Sequence, residues 1–370
     1  MNPASATPAG SGLIRTTPLS NNVITGTTAS PLSAEQLRIA DALVRDVRRG
    51  KSIQTLGGYA GTGKTTTIRE LRARLPGMAV CAFTGKAATM LRRKGIPAST
   101  IHATIYTPTG PATFRRRAKL PAATRGFIID EASMVGETIY KDLLSFDRPV
   151  VFVGDHGQLE PVERGFNLMA APDYTLEHVW RHAGEIPRFA EWLRLGRPAR
   201  AFRPESDAVR LITKRELTGE METASDQIIC GYNRTRDRLN ASVRESLGHS
   251  GTLVPGDRVM FLRNARQAGI FNGLQGTVVR VVSGRDQLRL DLDTYDGVRR
   301  GIAACHDPAG TFRRGVHAFD YAYAITCHKA QGDEWPRVLV IEERCQYWDH
   351  RRWTYTAASR TREQLTWVLG

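Results

Sequence analysis

The segment that most narrows the fold is Gly58-Tyr59-Ala60-Gly61-Thr62-Gly63-Lys64-Thr65, which fits G-x-x-x-x-G-K-[ST]. Before it, Ser52–Leu56 reads as a strand. After it, Lys64–Leu75 reads as a helix. A glycine-rich turn between a strand and a helix lets backbone amides approach phosphate oxygens, and the helix N-terminus adds its positive end. Lys64 is positioned to reach β- and γ-phosphates, and Thr65 to offer its hydroxyl to Mg²⁺. Gly58, Gly61, Gly63, Lys64, Thr65 and Thr66 form the candidate nucleotide-binding run, with ATP and Mg²⁺ as the implied ligands.

Phosphoryl chemistry on such a loop needs a carboxylate for the metal shell and a base for water. Phe127-Ile128-Ile129-Asp130-Glu131 ends an apolar strand with two acids. Asp130 is the metal-shell candidate and Glu131 the base. Val153-Gly154-Asp155-His156-Gly157-Gln158 ends another apolar strand, and Gln158 is placed to sense a γ-phosphate.

Strand-like and helix-like segments alternate around these motifs. Met78–Phe83, Phe127–Ile129 and Pro149–Val153 read as strands; Lys86–Arg93 and Glu137–Leu144 read as helices. That alternation predicts α/β architecture with a buried parallel sheet. Residues 104–125, rich in Pro, Gly, Thr and Arg, interrupt it and predict a hairpin insertion. A second alternation begins at Gln227–Cys230 and Thr235–Leu247. It resumes at Tyr321–Thr326, Val338–Glu342 and Thr366–Leu369. Between them, about 252–315, short β-like runs with Gly and Asp turns predict a small antiparallel barrel. The expected units are a disordered arm at 1–30, a first domain at 31–170 and a second at 171–370.

The 370 residues hold 52 Lys+Arg against 37 Asp+Glu, a net charge of +15. Only eight of the 52 cations are lysines. So basic a chain attracts polyanions, nucleic acid first, and arginine's planar fork suits phosphate. An arginine-favouring genome is the plainer source of the same bias. No apolar run approaches the roughly 20 residues a membrane helix needs. No signal peptide is visible, and five scattered cysteines without a CxxC pair fit a reducing cytosol.

In this order the motifs resemble superfamily 1 DNA helicases of the Dda/RecD-like group, which move 5′→3′ on DNA. The resemblance spans about residues 31–370 and implies two RecA-like domains. Gln36 sits where that group reads adenine. Cys81-Ala82-Phe83-Thr84-Gly85-Lys86 and Ser99-Thr100-Ile101-His102 resemble segments that grip single-stranded DNA. Leu176-Glu177-His178-Val179-Trp180-Arg181 resembles the motif whose arginine points at ATP from the second domain. Thr326-Cys327-His328-Lys329-Ala330-Gln331-Gly332-Asp333-Glu334-Trp335 resembles a late motif that touches DNA and nucleotide. It contributes Thr326 and His328 to DNA, and Gly332 and Glu334 to nucleotide. Tyr355-Thr356-Ala357-Ala358-Ser359-Arg360 resembles the last motif, with Arg360 as a second arginine finger. Glu160 departs from the group's usual proline.

The resemblance implies a catalytic set of Lys64, Glu131, Gln158, Arg181 and Arg360. It also implies an ATP-driven helicase that acts as a cytoplasmic monomer on single-stranded and forked DNA, with replication or recombination proteins as partners. Phe114, beside Arg115, Arg116 and Arg117, is the candidate wedge at the fork; a solvated basic loop is the other reading of that segment. A translocase that strips proteins without parting duplexes, and an ATP-switch subunit of a recombination or nuclease complex, are the alternative functions.

Overall fold

The structure is a computed structural model and describes residues 32–109, 113–161, 165–178, 184–251, 253–265, 268–283, 288–311 and 315–370. The arm expected at 1–30 lies outside the described residues.

Helix α1 (Ala34–Arg48) opens with a capping box. The Ser33 hydroxyl accepts from Gln36 N, and the Gln36 side chain accepts from Ser33 N. It leads into β1 (Ile53–Gly58), α2 (Lys64–Arg74), β2 (Met78–Ala82), α3 (Gly85–Arg93), β3 (Ala98–Thr100) and α4 (Ile101–Ile105). A two-stranded hairpin, β4 (Tyr106–Pro108) and β5 (Phe114–Arg116), falls within the expected insertion. Then follow β6 (Gly126–Asp130), α5 (Glu137–Leu144), β7 (Val150–Gly154) and β8 (Tyr174–Leu176).

The first sheet is parallel, in the order β3-β2-β6-β7-β1-β8. Helices cover both faces, so its strands are apolar on both sides. In β6, Ile128 packs with Leu43, Ile68 and Leu71 on one face; Phe127 and Ile129 pack with Ile101 and Leu143 on the other. Because β8 pairs with β1, the first sheet runs past residue 170, and the division expected at 170/171 moves beyond Leu176.

The second half contains α6 (Glu185–Arg194), β9 (Val209–Ile212), α7 (Gly219–Ala224), β10 (Gln227–Cys230) and α8 (Asn233–Ser246). The barrel strands follow: β11 (Arg258–Phe261), β12 (Gln275–Ser283), β13 (Leu288–Thr294), β14 (Gly297–His306) and β15 (His317–Tyr321). The chain closes with β16 (Ala324–Thr326), β17 (Trp335–Ile341), α9 (His350–Ala358) and β18 (Thr361–Val368). The second sheet is parallel, β16-β10-β17-β18-β9. Phe189 of α6 and Trp353 of α9 pack with Trp367 on one face; Leu239 and Val243 of α8 cover the other.

Three details differ from expectation. The second sheet begins at Val209, ahead of Gln227, because β9 joins its far edge. The barrel closes through a parallel pair, β14 with β15, and reaches Tyr321. The apolar run Tyr321–Thr326 is consequently two elements, one ending the barrel and one edging the sheet.

Candidate active site

The phosphate loop leaves β1 between its neighbours β7 and β8 and turns into α2. Gly61 and Gly63 take φ values of +84° and +89°, which favour glycine. A side chain at Gly63 would collide with the Gln36 carboxamide. Gln36 Nε2 donates to Thr62 O at 3.1 Å, and Thr62 Oγ1 donates to Tyr59 O at 2.9 Å. Lys64 Nζ donates to Gly58 O at 2.7 Å and Tyr59 O at 3.0 Å. The residue expected to read adenine thus braces the loop and completes the α1 cap. Its amide keeps one N–H and one lone pair free of these bonds.

Asp130 and Glu131 leave the C-terminal end of β6. Glu131 takes left-handed backbone, φ 55° and ψ 42°, a costly conformation for a residue with a Cβ. Its N–H donates to Asp130 Oδ1 at 3.0 Å. Its Oε2 is buried without a protein partner. Burial first, and the Asp130 charge second, raise the Glu131 carboxyl, while Arg360 and Lys64 pull it down. Burial also raises Asp130, against Lys64. A carboxylate oxygen with no protein donor, facing a phosphate loop, is free for water.

Asp155 follows β7 and is fully buried. Its Oδ1 accepts from Gly157 N at 2.9 Å, and its Oδ2 from Gln158 Nε2 at 3.1 Å and from the Tyr355 hydroxyl at 2.9 Å. Gln158 Oε1 is buried with no protein partner, as a group that meets a ligand must be.

The opposite wall belongs to the second domain. Arg360, only 4% exposed, follows α9. Its guanidinium donates to Thr356 O at 3.0 Å, Asp333 O at 3.3 Å and Ser359 Oγ at 2.8 Å. Helix α9 also grips the Asp155 loop. Arg352 donates to His156 O and Gln158 O, and Thr356 Oγ1 accepts from Leu159 N. One cleft of about 1020 Å³ is lined by Gln36, Gly61, Gly63, Lys64, Thr65 and Thr66 together with Asp130, Glu131 and Gln158. From the far side Gly332, Glu334 and Arg360 line it too. Arg181 lies outside the described residues.

The residues expected on DNA are divided between the two domains. Thr84 and Thr100 accept from Ala87 N and Ala103 N, as N-caps of α3 and α4. His102 lies 5.2 Å from the Tyr106 ring and 6.0 Å from Phe114, which is 42% exposed. Thr326 ends β16, and His328 sits edge-on to Trp348 at 6.4 Å. Lys86 departs from expectation. Its amine ion-pairs with buried Asp333 at 2.9 Å across the domain seam, 5.1 Å from the centre of the Trp335 ring.

Sequence reasoning missed two further cross-domain contacts. Arg194 stacks on the Tyr59 ring at 4.1 Å, and the Tyr355 hydroxyl reaches the loop at Ala60 N, 3.0 Å away. Tyr355 stood inside a recognised motif, but nothing local pointed to a partner 295 residues earlier.

Fold and site together define a P-loop nucleotide-binding protein with two RecA-like sheets facing one cleft. A family model described as an AAA domain matches residues 31–215, and one described as a UvrD-like helicase C-terminal domain matches residues 321–368. The chain belongs to this AAA-domain family. It is similar to the ATP-dependent RecD2 DNA helicase of Deinococcus radiodurans, 32% identical over 90% of this chain and 48% of that protein. It is also similar to the ATP-dependent DNA helicase Pif1 of Bdellovibrio bacteriovorus, 27% identical over 81% of this chain and 80% of that one. The chain thus spans about half the length of the RecD2 relative. Bacteroides Pif1 bound to single-stranded DNA shares the fold with a TM-score of 0.62, at 19% identity over 91% of this chain and 92% of that one.

Proposed function

We propose that the chain is the motor of an ATP-dependent DNA helicase that translocates 5′→3′ on single-stranded DNA and unwinds forked duplexes. One observation carries the reading: Lys64, Asp130, Glu131 and Gln158 from one sheet and Arg360 from the other line the same cleft. ATP seats its phosphates on the loop, with Lys64 on the β- and γ-oxygens. Thr65 and Asp130 would hold Mg²⁺ beside the phosphates, which fits a metal that uses few protein ligands, and its charge would offset that developing on the phosphoryl group. Glu131 takes the proton of the attacking water, and Gln158 orients that water or touches the γ-phosphate. Arg360 stabilises the transferring phosphoryl group from the opposite wall, a contribution of about 10³–10⁵ in rate where such arginines have been removed. Arg181 carries the same role on sequence grounds. Gln36, Gly332 and Glu334 complete the nucleotide pocket.

Because the arginine and the loop ride on different domains, hydrolysis depends on closure. Thr84, Thr100 and His102 on one domain, and Thr326 and His328 on the other, hold one strand, so each cycle of closure advances the protein along it. Lys86 is assigned to the seam instead. Phe114, exposed on the hairpin, parts base pairs by stacking at the fork. The protein works as a monomer in the cytoplasm of a bacterial or phage-infected cell, alongside replication or recombination proteins. Among the described residues no helix is long and apolar enough to cross a membrane.

The test uses forked duplexes carrying a 5′ or a 3′ tail, with phosphate release measured alongside. ATP-dependent unwinding of the 5′-tailed fork is the expected result. DNA-stimulated turnover without unwinding would favour the translocase reading, and no stimulation would overturn the motor assignment.

A further inference from the structure

One hydroxyl occupies an unusual place in the seam. Tyr355 comes from α9, is 3% exposed, and packs its ring in the core of the second domain. Its oxygen nevertheless sits in the first domain's machinery. It donates to Asp155 Oδ2 at 2.9 Å and accepts from Ala60 N of the phosphate loop at 3.0 Å. A phenol has one proton to give, so each of the two bonds uses a separate capacity. Burial and the Asp155 charge hold the phenol well above its usual pKa, which keeps the proton on it at neutral pH.

Both partners lead into the phosphate site. Ala60 is part of the loop that Lys64 folds against. Asp155 holds Gln158 through the same Oδ2 that takes the Tyr355 proton. In the other direction, α9 ends at Ala358 and leads through Ser359 to Arg360. The hydroxyl and the arginine therefore move as parts of one rigid segment. Hydrogen bonds of 2.9–3.0 Å weaken steeply when stretched or bent. Any retreat of the second domain that stretched these two bonds would also carry Arg360 away from the phosphate loop. Next to this clasp, Arg194 lies over the Tyr59 ring, so the seam is braced where the hydroxyl crosses it.

We propose that the Tyr355 hydroxyl is a positioning group for ATP hydrolysis: it fixes the register in which Arg360 meets the phosphate loop and Gln158. This rests on the helicase-motor reading only in taking Arg360 as the arginine that meets the phosphoryl group.

The test is a double-mutant cycle of Tyr355→Phe and Arg360→Ala in the full chain, with ATP turnover measured with and without single-stranded DNA. Binding of a fluorescent ADP analogue is followed in parallel. Tyr355→Phe keeps the buried ring, and a thermal melt confirms that each variant is folded. Turnover of Tyr355→Phe should fall at least tenfold with ADP affinity changed less than threefold. Arg360→Ala should cost much less when combined with Tyr355→Phe than in wild type, because groups that act as a unit are non-additive. A merely structural tyrosine gives additive costs, and additivity, or turnover within threefold of wild type, overturns the proposal. If wild type turns over ATP but DNA does not stimulate it, the motor reading fails while the cycle on basal turnover still decides the clasp. A wild-type chain with no turnover at all refutes both.

Discussion

Replacing Lys86 by methionine keeps the aliphatic stem and removes one charge from the seam. The amine lies 2.9 Å from Asp333, and the side chains are 18% and 8% exposed. At an effective dielectric of about 20, the gross attraction at that distance is about 6 kcal/mol. Desolvation offsets much of it, so the pair itself is worth far less. Deleting one partner is different, because it strands a buried charge, at a cost of about 3–5 kcal/mol. For a domain of 150–250 residues that is a fall of at least about 6 °C in Tm.

The pH dependence identifies the cause. Burial holds the Asp333 carboxyl above its ordinary range even with Lys86 beside it, and losing the amine raises it further. A group whose folded pKa is raised binds its proton more readily when folded. The stability it contributes is present at low pH and lost as pH rises through the folded value. The Lys86→Met deficit should therefore shrink as pH falls and grow as pH rises. Adding Asp333→Asn should restore most of the loss at pH 8. The assay is chemical denaturation or a thermal melt as a function of pH. A variant as stable as wild type at pH 8, or a deficit independent of pH, would refute the reasoning.

Three further outcomes follow from the same geometry. Glu131→Gln should bind nucleotide normally yet lose about 10²–10⁴ of hydrolysis, read by phosphate release. Because burial and Asp130 push Glu131 up to about 7, wild-type turnover should climb between pH 6 and 8 as the base ionises; a flat profile would argue against that role. Phe114→Ala should slow unwinding of a forked duplex about fivefold or more while leaving DNA-stimulated ATP turnover intact; equal loss in both assays, or none in either, rejects the wedge.

The sequence was most legible where chemistry is local. The phosphate loop and the Asp130-Glu131 pair each sit at the end of a strand, so residue type, spacing and flanks agree within a dozen positions. The two parallel sheets were visible in the alternation of strands and helices. Short or shared elements were not. Three-residue β8 carries too little alternation to declare a strand, so the expected division fell before it. Tyr321–Thr326 looks continuous because both its halves are buried, although one belongs to the barrel and the other to the sheet. Lys86 shows where local reading stops. Its motif resembles a DNA grip, but its charge is committed to Asp333, a residue far along the chain that only the folded seam brings near. Tyr355 and Ala60 meet for the same reason.

The central claim is that an arginine from one domain completes a phosphate site built by the other. Arg360→Ala, compared with wild type in DNA-stimulated ATP turnover and in binding of a fluorescent nucleotide, addresses it most directly. Turnover should drop by about 10³-fold or more with nucleotide affinity held within threefold. Undiminished turnover in a folded variant would contradict the account.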